Sequence, residues 1–183
     1  PFEQLYVSYA PANVGNSIGA ALYVAHCVLG EQRHFGFNPS YIGPGFTDAE
    51  IAAALQRRCI RCARRDDMAL EIARLLSAGE IIAVLNGEME FGERALGNRS
   101  ILADPRGRDA KDRINAMIKY RERYRPFAPA TLLESAPKYF EVSSGYEAPY
   151  MEKVCRVREA FHEVLPAITH VDGSGRLQTV TEE

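Results

Sequence analysis

Hydrophobic and polar positions recur along this chain with two periods, one near 3.6 residues and one near 2, and each predicts its own kind of element. Residues 5–9 (Leu-Tyr-Val-Ser-Tyr) predict a short strand. The stretch Pro11 to Gly19 reads as a turn. It leads into a small-residue helix from Ala20 to about Val28, with Asn16 or Ser17 as N-cap and Gly30 as its end. Five Gly or Pro residues between 31 and 46 predict a long loop. Thr47-Asp-Ala-Glu50 has the capping-box pattern and opens a helix to about Arg58. Residues 59–63 predict a strand. Asp66 or Asp67 then caps an amphipathic helix whose Met68, Ile72, Leu75 and Leu76 follow helical spacing up to Gly79.

Ile81-Ile-Ala-Val-Leu85 is a continuous apolar run, the pattern of a strand buried on both faces. Asp109 starts a helix in which Ala110, Ile114, Met117 and Ile118 share a face. Pro126 and Pro129 exclude helix from the next stretch. Thr169-His-Val171 and Leu177-Gln-Thr-Val180 flank Asp172-Gly-Ser-Gly175, which predicts a hairpin. Strands interleaved with helices predict an α/β or α+β fold, with a domain boundary between 45 and 66. No internal repeat or low-complexity tract is present.

Composition narrows the class. The 183 residues are 46% hydrophobic and 25% charged, a globular mix. No apolar run reaches the ~20 residues of a membrane span. The absence of a signal peptide leads us to expect a cytoplasmic protein. Cys27, Cys59, Cys62 and Cys155 are too sparse for a disulfide scaffold. Cys59-Ile-Arg-Cys62 has the spacing of half a zinc site or a redox pair, but no second ligand pair follows; two small residues in a short strand is the simpler reading. The first residue is Pro1 and the last, Glu183, follows a strand-like run, so both ends read as cut and we expect a piece of a longer polypeptide.

The net charge of −2 is an average over two unlike parts. Between Asn86 and Thr131 ten basic residues face seven acidic ones, a local +3, so the remainder carries −5. Eight of the ten are Arg, whose planar fork holds phosphate or carboxylate oxygens bidentately. Arg121, Arg123 and Arg125 alternate, and on extended backbone they share one face. The segment Glu88 to Ser100 follows a predicted strand, where α/β folds place ligand loops, and its Gly92 and Gly97 admit close approach of an anion. Arg106, Arg108, Lys111 and Arg113 fit a solvated helix face with acid–base pairs. Arg94, Arg99, Lys119 and Arg125 fit it poorly, since apolar or Gly/Pro-rich sequence surrounds them. His170 and Asp172, two apart on a predicted strand, can orient each other. Tyr120 and Tyr124 suit either stacking on a base or plain packing, and His26 reads as a core histidine.

Four blocks carry a resemblance. They are Gly87-Glu-Met-Glu-Phe-Gly-Glu-Arg-Ala-Leu-Gly-Asn-Arg-Ser-Ile-Leu-Ala-Asp-Pro-Arg106, Asn115-Ala-Met-Ile-Lys-Tyr-Arg-Glu-Arg-Tyr-Arg-Pro-Phe-Ala-Pro129, Ala148-Pro-Tyr-Met151 and Thr169-His-Val-Asp-Gly-Ser-Gly-Arg-Leu-Gln-Thr-Val180. In this order they resemble the signature of the nodulation and antibiotic O-carbamoyltransferases, and the Nod-factor enzymes resemble them most. Gly15-Asn-Ser-Ile-Gly-Ala-Ala-Leu22 resembles the end of that family's first domain.

The resemblance implies residues 1–50 as the remnant of an actin-like carbamoyl-transfer domain, and 51–183 as a YrdC-like domain that makes carbamoyl-adenylate. ATP and carbamoyl phosphate would be co-substrates, with a divalent metal (iron or magnesium) in the full-length enzyme. The hydroxyl acceptor would be a Nod factor or an antibiotic-like molecule. Partners would be small-molecule substrates and the remaining N-terminal domain, not a membrane or nucleic acid. By motif, Arg94, Lys119, Arg125 and His170 are implied as catalytic. Asn98, Arg99, Arg121, Tyr150, Met151, Asp172 and Arg176 are implied as substrate- and nucleotide-binding. Asn13 stands where the family often has an Asp metal ligand; an amide brings a carbonyl oxygen but no charge. The family's HxxxH metal motif and its Asn-Thr-Ser-Phe-Asn block are not in this sequence. Two other readings of the basic segment are a threonylcarbamoyl-adenylate synthase for tRNA modification and an RNA-binding module.

Overall fold

The computed structural model describes residues 7–33, 40–120, 122 and 127–181. Helices and strands mix as expected. The first helix, α1, runs Asn13–Tyr23 and loosens into a π turn over Val24–Val28. It starts seven residues earlier than expected, and neither Asn16 nor Ser17 caps it; the N-cap is Ala12, without a side-chain bond. Ser17 instead bonds back to the Val14 carbonyl at 3.0 Å inside the helix. The early start depends on Gly15, where any Cβ would sit 2.1 Å from the Ala10 carbonyl oxygen. Residues 7–9 form no strand, and the rest of that predicted strand lies outside the described residues.

Helix α2 is Asp48–Arg57, and its capping box forms as read: Thr47 accepts from the Glu50 amide while Glu50 accepts from the Thr47 amide. The expected strand at 59–63 is absent. Cys59 takes the left-handed region at φ 52° in the turn that ends α2, a conformation that strand pairing does not use. Helix α3, Met68–Ser77, is capped by Asp67 through the Leu70 amide. Its Ile72, Leu75 and Leu76 are half-buried, whereas Met68 is exposed.

Strand β1 (Ile82–Leu85) pairs antiparallel with β2 (Arg99–Leu102), and among the described residues these two make a sheet by themselves. Our expectation of a strand buried on both faces is therefore corrected: burial alternates along β1, and Leu85 is 57% exposed. Helix α4 (Ala110–Ile114) continues as a π turn, Asn115–Lys119. The extra residue in that turn rotates the apolar stripe, so Ala110 and Ile114 are buried but Met117 and Ile118 are exposed.

The second sheet has the order β3-β5-β4, built from β3 (Ala130–Leu132), β4 (Lys153–Arg156) and β5 (Ser174–Val180). Strand β5 runs parallel to β3 and antiparallel to β4. The expected hairpin is half right. Residues 170–173 do form a tight turn, closed by the Gly173 amide on the His170 carbonyl, but Thr169 to Val171 are not a strand; β5 takes β4 as its antiparallel partner. The turn needs Gly173, at φ 78° with a Cβ position 2.9 Å from the His162 ring.

Along β5 alternate residues point to opposite faces. Gly175 and Leu177 face the core, with Ala136, Phe140, Ala148, Cys155, Val157 and Ile168. The accessible surface, 13419 Å², well exceeds the ~8,800 Å² that a compact monomer of this mass exposes. Part of the excess lies on α1, α2 and α3, none of which holds a buried residue. No helix among the described residues is long and apolar enough to cross a membrane.

Leu177 is fully buried at the centre of the core. Leu177→Ala is expected to lower stability by about 2–5 kcal/mol through lost transfer energy and the cavity left behind, read as a fall in the urea midpoint.

Candidate active site

The face of β5 opposite the core carries Ser174, Arg176 and Gln178. At the strand rise of about 3.3 Å per residue, Ser174 and Gln178 stand ~13 Å apart. Each end of that face holds one group of the residues implied by sequence.

At the Gln178 end lies the loop between β1 and β2. Its organiser is Glu90, whose side chain is fully buried. Glu90 Oε1 accepts from the Leu96 and Asn98 amides, both at 2.7 Å, and Oε2 faces Arg99 Nε at 3.3 Å. Arg99 Nη2 donates to the Gly92 carbonyl and, at 3.5 Å, to that of Arg94. One carboxylate and one guanidinium thus clamp both limbs of the loop, whose backbone also bonds to Ser40, Gly43 and Pro44 through Met89 and Phe91. Asn98 Nδ2 closes its mouth on the Glu88 carbonyl at 2.7 Å. Gln178 Nε2 and the Tyr41 hydroxyl reach the Leu96 carbonyl, at 2.8 and 3.4 Å, and tie the loop to β5. Burial, and after it the charges of Glu90 and Tyr150, push the Tyr41 phenol above its ordinary pKa. Within this framework Arg94 Nη1 is buried and has no hydrogen-bond partner among the described residues. A buried donor without a partner is costly, and a negatively charged group would relieve that cost.

The segment 148–151 crosses beside β5, with the Ala148 amide on Thr179 Oγ1 at 2.8 Å. It brings Tyr150 edge-on to Tyr9, ring centroids 6.0 Å apart. Met151 is held at φ 54°, an unusual conformation for a residue with a side chain. Arg176 is half-buried midway along the face.

At the Ser174 end, His170 and Asp172 lie in the turn rather than on a strand, which corrects the geometry read from their spacing. They are joined through Ser174: its Oγ is 3.0 Å from His170 Nδ1 and donates to Asp172 Oδ1 at 2.7 Å. The hydroxyl and then the amide of Ser174 hold the Asp172 carboxyl below its ordinary pKa. The turn borders a cleft of about 460 Å³ that Arg108, His162, Thr169 and His170 also line.

Lys119 stands exposed at the end of the π turn after α4, and among the described residues no hydrogen bond or ion pair ties it to this face. Arg121 and Arg125 lie outside the described residues, as do Arg123 and Tyr124. Arg106, Arg108 and Arg113 pair with Asp104, Glu163 and Asp109, as a solvated face does. His26 bonds the Glu31 carbonyl at 2.9 Å from a half-buried position on the α1 π turn, not a core. Cys59 and Cys62 are free and exposed. Asn13 is exposed on the first turn of α1, and no cluster of three or more His, Cys, Asp or Glu suited to a metal occurs among the described residues. The described residues by themselves thus do not fit the divalent metal implied by resemblance.

Sequence reading missed Glu90, Ser174, Gln178 and Tyr41. For Ser174 and Gln178 the signal was present: Ser174-Gly-Arg-Leu-Gln178 alternates polar and non-polar, and the strand begins three residues before the Leu177–Val180 run taken as β structure. Glu90 counted merely as one acid among seven.

Glu90→Gln keeps the shape but turns an amide NH₂ group toward Arg99 or toward the two backbone N–H groups, a donor against donors. The expected result is a local loss of about 3 kcal/mol, read as a roughly 100-fold fall in amide-exchange protection at Leu96 and Asn98.

Residues 73–183 match the family model described as the carbamoyltransferase C-terminus. The chain is similar to nodulation protein NolO of Bradyrhizobium diazoefficiens, 44% identical over 100% of this chain and 34% of that protein. It is similar to nodulation protein U of Azorhizobium caulinodans, 48% identical over 98% of this chain and 30% of that protein. It is also similar to the 3'-hydroxymethylcephem-O-carbamoyltransferase of Amycolatopsis lactamdurans, 35% identical over 99% of this chain and 32% of that protein. The chain thus spans about a third of the length of the curated relatives it matches. With the clamped arginine loop, the His170 turn and the strand that joins them all inside the matched residues, the chain belongs to the carbamoyltransferase C-terminal family.

Proposed function

We propose that this chain is the adenylate-forming part of an ATP-dependent O-carbamoyltransferase. The observation that carries the reading is Arg94: a buried guanidinium nitrogen without a partner among the described residues, in a loop whose backbone is fixed by a fully buried carboxylate. Such a cation is preorganised for negative charge and needs no rearrangement when that charge develops.

The chemistry asks for that. Carbamoyl phosphate loses phosphate to water and leaves carbamate. A carbamate oxygen attacks the α-phosphorus of ATP and expels pyrophosphate, giving carbamoyl-adenylate. The acceptor hydroxyl then attacks the carbamoyl carbon and AMP departs. Charge gathers on non-bridging oxygens in the second step, and fixed guanidinium groups away from bulk water stabilise it. In this reading Arg94 meets the phosphate oxygens at the Gln178 end of β5, and Arg176 lies along the ligand's length. Tyr150 and Met151 border the pocket, while His170 and Asp172 lie at the far end. Lys119, Arg121 and Arg125 supply further charge from the segment between α4 and β3, and Asn98 and Arg99 hold the loop in shape. We place the protein in the cytoplasm and take its hydroxyl acceptor to be a Nod factor or an antibiotic-like molecule. The rest of the polypeptide, in this reading an actin-like domain, covers the apolar side chains that α1 leaves in solvent, Leu22, Tyr23, Val28 and Leu29.

The pairing of Arg106, Arg108 and Arg113 with acids weighs against an RNA-binding surface, since those charges are already met within the chain.

Carbamoyl-phosphate-dependent exchange of pyrophosphate into ATP, measured on the intact polypeptide, tests the reading. Arg94→Ala is expected to slow that exchange by about 100-fold, the usual effect of removing one preorganised donor. Exchange that is absent from the parent, or unaffected by Arg94→Ala, would sink the proposal.

A further inference from the structure

Ser174 decides which nitrogen of His170 carries the proton. A serine hydroxyl has one hydrogen, and here two groups compete for the oxygen that bears it. Asp172 Oδ1 lies 2.7 Å from Ser174 Oγ, His170 Nδ1 lies 3.0 Å from it, and the Ser174 amide donates to the same carboxylate oxygen at 3.0 Å. A carboxylate has no proton to give, so it must be the acceptor of the hydroxyl hydrogen. The Ser174 oxygen is then left with lone pairs only, and the contact with His170 becomes a hydrogen bond when Nδ1 is the protonated nitrogen. In the neutral ring this leaves Nε2 as a bare acceptor.

The other side of the ring has no such neighbour. His170 Nε2 is buried and lacks a hydrogen-bond partner among the described residues. The backbone that carries the ring is held as well: the His170 amide donates to the Ser174 carbonyl at 2.7 Å, and its carbonyl accepts from Gly173 at 3.0 Å. The carboxylate that sets this arrangement stays ionised to lower pH than usual, because the Ser174 hydroxyl and amide both bond to it.

We propose that the Asp172–Ser174–His170 chain fixes His170 as the Nδ1–H tautomer, so that Nε2 accepts a hydrogen bond from an N–H donor on the ligand, the amino group of the carbamoyl moiety. This rests on the adenylate-forming reading, and it divides labour along β5: Arg94 meets anionic oxygens at one end, and His170 reads the neutral carbamoyl amine at the other. A lone pair at Nε2 repels a phosphate oxygen and welcomes an amine, so the histidine discriminates between carbamoyl and acyl groups of the same size.

Long-range proton–nitrogen correlation spectra of the intact polypeptide, with labelled histidine, report the tautomer directly. His170→Gln identifies the signals. In the alkaline limit the parent is expected to show the proton on Nδ1. Ser174→Ala is expected to remove that preference and Ser174→Thr, which keeps the hydroxyl, to retain it. A parent ring protonated on Nε2 overturns the proposal whether or not the variants fold.

The ligand is tested by calorimetry with carbamoyl phosphate and acetyl phosphate, which differ in an amino group against a methyl. The parent is expected to favour carbamoyl phosphate by about tenfold, and His170→Ala to abolish that preference while still binding both. Equal binding by the parent overturns the assignment of the donor, with the adenylate-forming reading intact. Failure to bind either compound overturns that reading, and the donor assignment with it.

Discussion

Strand β5 is hydrogen-bonded along both edges, to β3 and to β4, and the rest of the described structure depends on that constraint. Pairing on both sides buries a strand whose sequence is half polar, so each polar side chain must find a partner inside. Gln178 finds the Leu96 carbonyl, Thr179 the Ala148 amide, and Ser174 the pair His170 and Asp172. These bonds draw three separate loops onto one strand. The hydrophobic side of the same strand is filled by Leu177 and by the space that Gly175 leaves for Phe140 and Val157.

The loop between β1 and β2 shows how a weakly structured segment becomes rigid. Its two-stranded base is exposed on one side and contributes little burial. Order comes from backbone bonds to Ser40, Gly43 and Pro44 and from charge taken out of water. A buried carboxylate is stable only when hydrogen bonds and a counter-charge replace its hydration, and Glu90 obtains two backbone N–H bonds and Arg99. What results is a fixed frame in which one guanidinium nitrogen of Arg94 has no hydrogen-bond partner among the described residues. A frame of this kind favours an anionic ligand because reorganisation of the cation has already been met by folding.

Several elements were legible in the sequence because their signals are local. The capping box at Thr47, the Asp67 cap and the end of α3 at Gly79 each depend on neighbours within a few residues. Where reading failed, a distant contact was in control. The run Ile81 to Leu85 has the composition of a buried strand, yet it has one partner strand and is half exposed, a matter of topology that hydrophobicity does not encode. The start of α1 was misplaced because Gly15 reads as a turn residue, whereas it is needed for the close approach of Ala10. The stripe of α4 broke at a π turn, which shifts the period by one residue.

The sequence by itself determined the class of fold, the family and the arginine-rich segment, and it offered Arg94, His170, Asp172 and Arg176 as candidates, since each rests on residue type and order along the chain. Tertiary structure alone decided which of these meet. It made Arg99 a clamp held by Glu90, left one Arg94 nitrogen unmatched among the described residues, and joined His170 to Asp172 through Ser174, a residue of the fourth block that had been given no role. The physical reason is that a hydrogen bond or ion pair acts over about 3 Å, and residues distant along the chain reach that range only when strand pairing and burial bring them there.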